Sequence, residues 1–330
     1  MSNYKKICSN LLKNLPEKQK KVVSRRFALS SGTSPAGTTK GETLESIGKD
    51  FGITRERVRQ VENDAFLKLK PEIKKYQSIF ESFKKYLKNR GGLEKEEDLL
   101  NELGGKKEKK QVYFLLNLND DFKRFAENNE FYALWFLNKD YLDYAKKAVS
   151  SAYNLLLRTK KPLSLKEINQ NLSVSQNYLK YYLESSKKIL KNSEKLFGLK
   201  NWPEINPKGV KDKAYLIFKE KQKPLHFSKV ANLIGSALPQ TVHNELIKDP
   251  RFVLVGRGIY ALKEWGYYPG QVKDVIFKIL KEEKKTLSKE EILNKVLKQR
   301  LVKKNTVFLN LSNKNYFFKN SKGNYAIKEA

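Results

Sequence analysis

The chain has 330 residues, 39% hydrophobic and 12% aromatic, which is enough apolar material for packed cores and excludes a globally disordered polymer. It carries 67 Lys and Arg against 36 Asp and Glu, a formal net charge of +31; nucleic acid is the leading partner this implies and an anionic membrane surface the second, with a uniformly lysine-rich proteome as the plain alternative. One cysteine, Cys8, excludes an intramolecular disulfide, two scattered histidines, His226 and His243, do not make a zinc site, and no apolar run approaches the ~18 residues of a membrane span.

In chain order, MSNYKKICSNLLKNL (1–15) pairs Lys5 and Lys6 with a short apolar run but has no signal-peptide h-region or cleavage site, so a cytoplasmic location is expected. SSGTSPAGTTKGE (30–42) reads as a flexible surface loop. A helix is predicted from about Thr43 to Phe51, with Ile47 and Phe51 four apart on one face. Gly52 supplies a sharp turn, and Thr54 is an N-cap for a second helix, without the Glu at position 57 that would complete a capping box. At ~100° per residue, Val58, Val61 and Ala65 fall on one arc of that helix and Arg55, Glu56, Arg59, Gln60 and Asn63 on the opposite one. Arg forks onto guanine, Gln onto adenine, and Glu accepts from cytosine, so the polar arc suits base edges; an ordinary solvated helix face is the alternative.

The run TLESIGKDFGITRERVRQVENDAFLKLK (43–70), with its TRERVRQ core, resembles region 4 of the sigma-70 family, and LPEKQKKVVSRRFAL resembles the helix before it. The resemblance covers roughly residues 10–72. It implies that Arg55, Glu56 and Gln60 contact bases of promoter −35-like DNA in the major groove. It places Thr43, Leu44, Glu45 and Thr54 at backbone-contact positions, Arg25 and Arg26 near phosphate, and Arg57 and Arg59 on phosphate or a partner. It also implies docking on the beta-flap of RNA polymerase core, which an apolar face around Val22, Val23 and Phe27 is expected to mediate. The loop at 30–42 is longer than usual for the family, and Asp64 replaces a residue that is often basic. No segment resembles the family's strand-opening region 2, so melting and −10 recognition are not implied.

The rest of the chain repeats a signature. An aromatic, a small and an aliphatic residue end four expected hairpins: Tyr132-Ala133-Leu134, Phe197-Gly198-Leu199, Tyr260-Ala261-Leu262 and Tyr325-Ala326-Ile327. Turn residues precede each one, and before each turn lies a short strand candidate, such as 252–255 or 316–318. Upstream lie helical patterns, the second helix of the last two units being opened by Ser228 or Ser288 as N-cap. Helix, helix, helix, hairpin describes a winged helix. The expected fold is therefore mainly α with small β-hairpins: a sigma region 4 helix-turn-helix at 1–75, then a tandem array of winged-helix-like domains at 76–139, 140–207, 208–268 and 269–330. The unit at 208–268, with KPLHFSKVANLI and RFVLVGRGIYALKEWGY, resembles the HARE-HTH family, a winged-helix module found in the delta subunit of bacterial RNA polymerase and in restriction and chromatin proteins. Arg257, Lys319 and Lys322 stand at expected wing tips, either touching DNA or simply solvated.

No Walker, GxSxG or HExxH motif is present, and acidic-x-Lys fragments such as Glu108-Lys109-Lys110 are expected by chance in so lysine-rich a chain. The expectation is a DNA-binding protein with neither catalytic site nor cofactor nor metal, its partners double-stranded DNA and RNA polymerase, without a membrane. Three readings stay open: a promoter-reading factor, a delta-like polymerase accessory with little specificity of its own, and a general or modified-DNA binder.

Overall fold

The computed structural model describes residues 3–29, 41–172 and 176–328; most of the loop expected at 30–42 lies outside them. The chain divides into two compact units, 1–200 and 201–330.

The first unit opens with α1 (Tyr4–Lys13), α2 (Glu17–Arg26), α3 (Leu44–Phe51) and α4 (Arg55–Leu69). A 3-10 turn at Glu72–Tyr76 leads to α5 (Gln77–Lys88), β1 (Leu93–Lys95), α6 (Glu96–Gly104), α7 (Lys109–Leu118), β2 (Lys123–Phe125) and β3 (Leu134–Phe136). These strands form an antiparallel sheet in the order β1-β3-β2. Then come α8 (Lys139–Thr159), α9 (Leu165–Asn171), α10 (Gln176–Glu184) and the hairpin β4 (Ile189–Lys191) and β5 (Phe197–Leu199), with Leu163 bridged to Phe197.

The second unit holds α11 (Gly209–Lys221), β6 (Leu225–His226), α12 (Phe227–Ile234), α13 (Pro239–Lys248), β7 (Phe252–Gly256) and β8 (Ile259–Leu262), in sheet order β6-β8-β7. It continues with α14 (Val272–Glu283), a bridge from Leu287 to Tyr325, α15 (Lys289–Gln299), α16 (Lys304–Leu311), β9 (Phe317–Lys319) and β10 (Tyr325–Ile327). The protein is thus mainly helical with small antiparallel sheets. After α4 the same element order occurs four times: a helix, a strand or bridge, two helices and a hairpin.

Local chemistry explains several of these elements. Ser288 caps α15 in a full capping box with Glu291, as its position suggests. Ser228, in contrast, is already inside α12: His226 is the N-cap, its Nδ1 accepting from the Ser228 N–H at 3.3 Å. The first hairpin also departs from the expected register, since only Leu134 of Tyr132-Ala133-Leu134 lies in a strand. The reason is a competing pairing. Phe131 bridges to Ser186, the Tyr132 N–H donates to the Ser185 carbonyl at 3.1 Å, and the Lys187 N–H donates to the Glu130 carbonyl at 2.7 Å. The other three triplets lie within β5, β8 and β10.

The main core of the first unit runs across residue 75. Cys8, Leu11, Leu12, Phe27 and Leu69 bury against Phe80, Phe83, Phe114, Leu115 and Trp135. α7 is enclosed, with Gln111, Val112, Phe114, Leu115, Leu116 and Leu118 all buried. The boundary expected at 75/76 therefore separates segments of chain that share one core.

Candidate nucleic-acid interface

α2, α3 and α4 close over a small core of Val22, Ile47, Val58 and Val61, flanked by Leu44, Phe51 and Ile53. Two glycines set the angle between α3 and α4. Gly52 adopts φ +63°, which favours a residue without Cβ. Gly48 lets the chain return close, because a Cβ there would stand 2.6 Å from the Ile53 carbonyl oxygen. Thr43 caps α3, its Oγ1 accepting from the Ser46 N–H at 3.1 Å. Thr54 caps α4 in the same way, accepting from the Arg57 N–H at 3.2 Å.

With Val58, Val61, Ala65 and Leu69 turned inward, α4 presents the expected polar arc to solvent: Arg55, Glu56, Arg59, Gln60 and Asn63 are all exposed, as is Arg57. Two pairs form among them. Arg59 forks onto Glu56 at 2.9 and 2.6 Å, and the Arg57 guanidinium donates to Gln60 Oε1 at 3.0 Å. The Arg59 hydrogen bonds hold the Glu56 carboxyl below its ordinary range and raise the Arg59 guanidinium. Both pairs are solvent-exposed, so a base edge or phosphate can replace them at little cost. Arg55 makes no ion pair among the described residues.

The backbone-contact positions divide. Glu45 is exposed in the first turn of α3. The Leu44 side chain packs on the small core, so what it can offer a phosphate is its main-chain N–H at the open end of the helix. Arg25 is engaged internally. Its Nε donates to Glu42 Oε1 at 2.7 Å, and a terminal nitrogen reaches both Glu42 and Asp50. This clasp keeps the guanidinium raised and the Glu42 carboxyl lowered. Arg26 donates to the Glu42 carbonyl at 3.0 Å and approaches Glu62 at 3.8 Å. Lys49, which no sequence motif singles out, lines a shallow concavity with Glu45, Thr54, Arg55 and Arg57. A signal for it exists all the same: it is an exposed cation on α3 off the Ile47–Phe51 stripe.

One expectation is overturned. Val22 and Val23 are 0% exposed and Phe27 is 5% exposed, so they present no apolar face to a polymerase flap. Phe27 is enclosed between Phe66 and Phe114, at ring-centroid distances of 5.6 and 5.2 Å. Arg257 and Lys322 in the hairpin turns and Lys319 at the end of β9 are all exposed. Among the described residues no helix is long and apolar enough to cross a membrane.

The arrangement of α2 to α4 is a helix-turn-helix, the class of DNA-binding fold whose second helix enters the major groove. Residues 11–71 match the family described as Sigma-70, region 4. Over 61 residues the chain is 41% identical to the RNA polymerase sigma factor SigA of a Bacillus species, a stretch covering 18% of this chain and 14% of that protein. It is 40% identical over 60 residues to SigA of Clostridium acetobutylicum, covering 18% and 14%. It is 43% identical over 61 residues to RpoD of Helicobacter pylori, covering 18% and 8%. The chain therefore spans 14% or less of the length of these relatives.

Proposed function

We propose that this protein is a transcription regulator of the cytoplasm that acts by binding and performs no catalysis, with α4 reading promoter −35-like duplex DNA in the major groove. The observation that carries this reading is the uncovered arc of Arg55, Glu56 and Gln60 on a capped helix whose opposite side is sealed in a core. Thr43, Thr54, Lys49 and Arg57 surround that arc and fit phosphates. The four recurring segments after α4 are read as winged-helix modules, the one at 208–268 of the HARE-HTH kind; their element order, with the last hairpin strand central in both three-stranded sheets, supports this.

The test is competition binding between −35-like and scrambled duplexes. Arg55→Ala and Gln60→Ala are each expected to relax discrimination by ~1–3 kcal/mol. Equal affinity of the parent protein for both duplexes overturns direct readout.

Contact with RNA polymerase belongs to the same proposal. Leu67, on the second half of α4, is 66% exposed and offers a partner an open apolar side chain on the helix-turn-helix. Co-purification with polymerase core that survives Leu67→Ser unchanged places any such contact elsewhere.

A further inference from the structure

Two of the recurring segments have closed off the helix that precedes their hairpin. α7 is buried in the main core of the first unit. α10 faces the turn at 90–92: Tyr182 Oη donates to the Gly91 carbonyl at 2.9 Å, Tyr178 packs on Gly91, and the Arg90 guanidinium lies 5.3 Å from the Tyr181 ring. α7 has no exposed residue, and among the described residues of α10 only Asn177 and Lys180 are exposed.

α13 in the second unit is open. Only Val242 and Leu246 are buried in it, while Gln240, Thr241, Asn244 and Lys248 are exposed. Gln240 Nε2 donates to Asn244 Oδ1 at 3.3 Å, so the two amides share one face. A row of rings leads from that face to the hairpin tip. His243 lies 4.5 Å from Phe227, and Phe227 lies 4.4 Å from His226. His226 stands against the tip so closely that a Cβ on Gly258 would meet its Nε2 at 2.5 Å. Arg257 is exposed beside it. The tip is braced from outside as well, the Leu301 N–H donating to the Val255 carbonyl at 2.6 Å.

The charges follow the same logic. Arg251 takes both Asp212 and Asp249, Lys219 pairs with Glu264, and Lys221 pairs with Glu220. Lys223, Lys229, Lys248 and Arg257 make no ion pair among the described residues. Lys248 in the last turn of α13 and Arg257 at the hairpin tip, together with the surface amides and the Thr241 hydroxyl, favour a polyanion that also offers hydrogen-bonding edges.

We propose that the Gln240–Thr241–Asn244 face of α13, the His243–Phe227–His226 row and Arg257 form a second duplex-DNA contact surface, separate from α4. This rests on the DNA-binding reading of the chain. The amides address base edges, and Arg257 addresses phosphate or a narrow groove.

The test uses the full chain with α4 silenced by Arg55→Ala, Arg59→Ala and Gln60→Ala, and follows binding to a mixed-sequence duplex by fluorescence anisotropy over a salt series. Adding Gln240→Ala, Asn244→Ala and Arg257→Ala is expected to weaken the residual affinity about fivefold or more and to flatten the salt slope by about 0.9 for each phosphate no longer neutralised. The melting profile stays unchanged because these side chains lie at the surface, outside the core. Unchanged residual affinity and slope, or a weakening confined to single-stranded DNA, overturns the proposal. Failure of the α4 reading shows separately, as equal affinity of the parent protein for −35-like and scrambled duplexes.

Discussion

Arg25 occupies a position at which the family resemblance implies a phosphate contact, yet its guanidinium is already surrounded by Glu42 and Asp50. A cation so placed holds α2 to α3 and has little left to offer DNA. Arg25→Ala is therefore expected to lower stability while leaving the slope of log affinity against log salt unchanged. Arg57→Ala, beside the exposed arc, is expected to flatten that slope by about 0.9. The clasp also carries a pH dependence. The Arg25 hydrogen bond depresses the folded-state pKa of Glu42 below its ordinary value of 4.5, so the unfolded chain takes up the proton first as pH falls. The stabilisation is complete above that ordinary value, erodes as pH drops below it, and is gone once pH passes the folded pKa. Denaturation midpoints followed downward through the carboxylate range, from about pH 6 to about pH 2, are expected to fall less steeply in Glu42→Gln; parallel curves for parent and variant would mean that the clasp contributes nothing.

At the scale of elements, α4 depends on its first turn, since Arg55 and Glu56 sit there and Thr54 satisfies the Arg57 N–H. Thr54→Ala is expected to cost about 1 kcal/mol and to loosen the reading face, while Thr54→Ser restores most of it. Thermal denaturation together with duplex affinity checks both halves, and a variant that melts like the parent removes the cap from the account. α3 and α4 were legible in the sequence because their signals are local: one cap at Thr54, one turn glycine and a helical period of apolar residues; Thr43, expected as the first helical residue, is instead the cap of α3. What was illegible depends on partners distant in sequence or on unusual residue roles. His226 is outside the usual set of capping side chains, so Ser228 looked the better cap. The first hairpin starts late because Phe131 and Tyr132 pair with Ser186 and Ser185, more than fifty residues away. No periodicity within either segment records that pairing.

At the scale of the molecule, the recurring element order was legible, and the way the segments share cores was not. α7 reads in sequence as one more helix before a hairpin, with apolar residues on nearly every side and no sign of which neighbour covers each. In the structure Phe114 meets Phe27 and Phe66, while the Lys5 N–H donates to Glu108 at 3.0 Å. The back of the helix-turn-helix is thus formed by the segment that follows it. Phe114→Ala is expected to cost roughly 3–5 kcal/mol, and the effect should not stay in its own segment. Hydrogen exchange resolves this. If the core is shared, amides of α2 and α6 accelerate together in the variant, because one cooperative unit has been weakened. If the helix-turn-helix folds on its own, the α2 amides keep their protection while those of α6 and α7 lose it. The first outcome means that the reading helix is presented by a rigid body larger than the family segment, so substitutions well beyond residue 71 reach DNA affinity through stability alone.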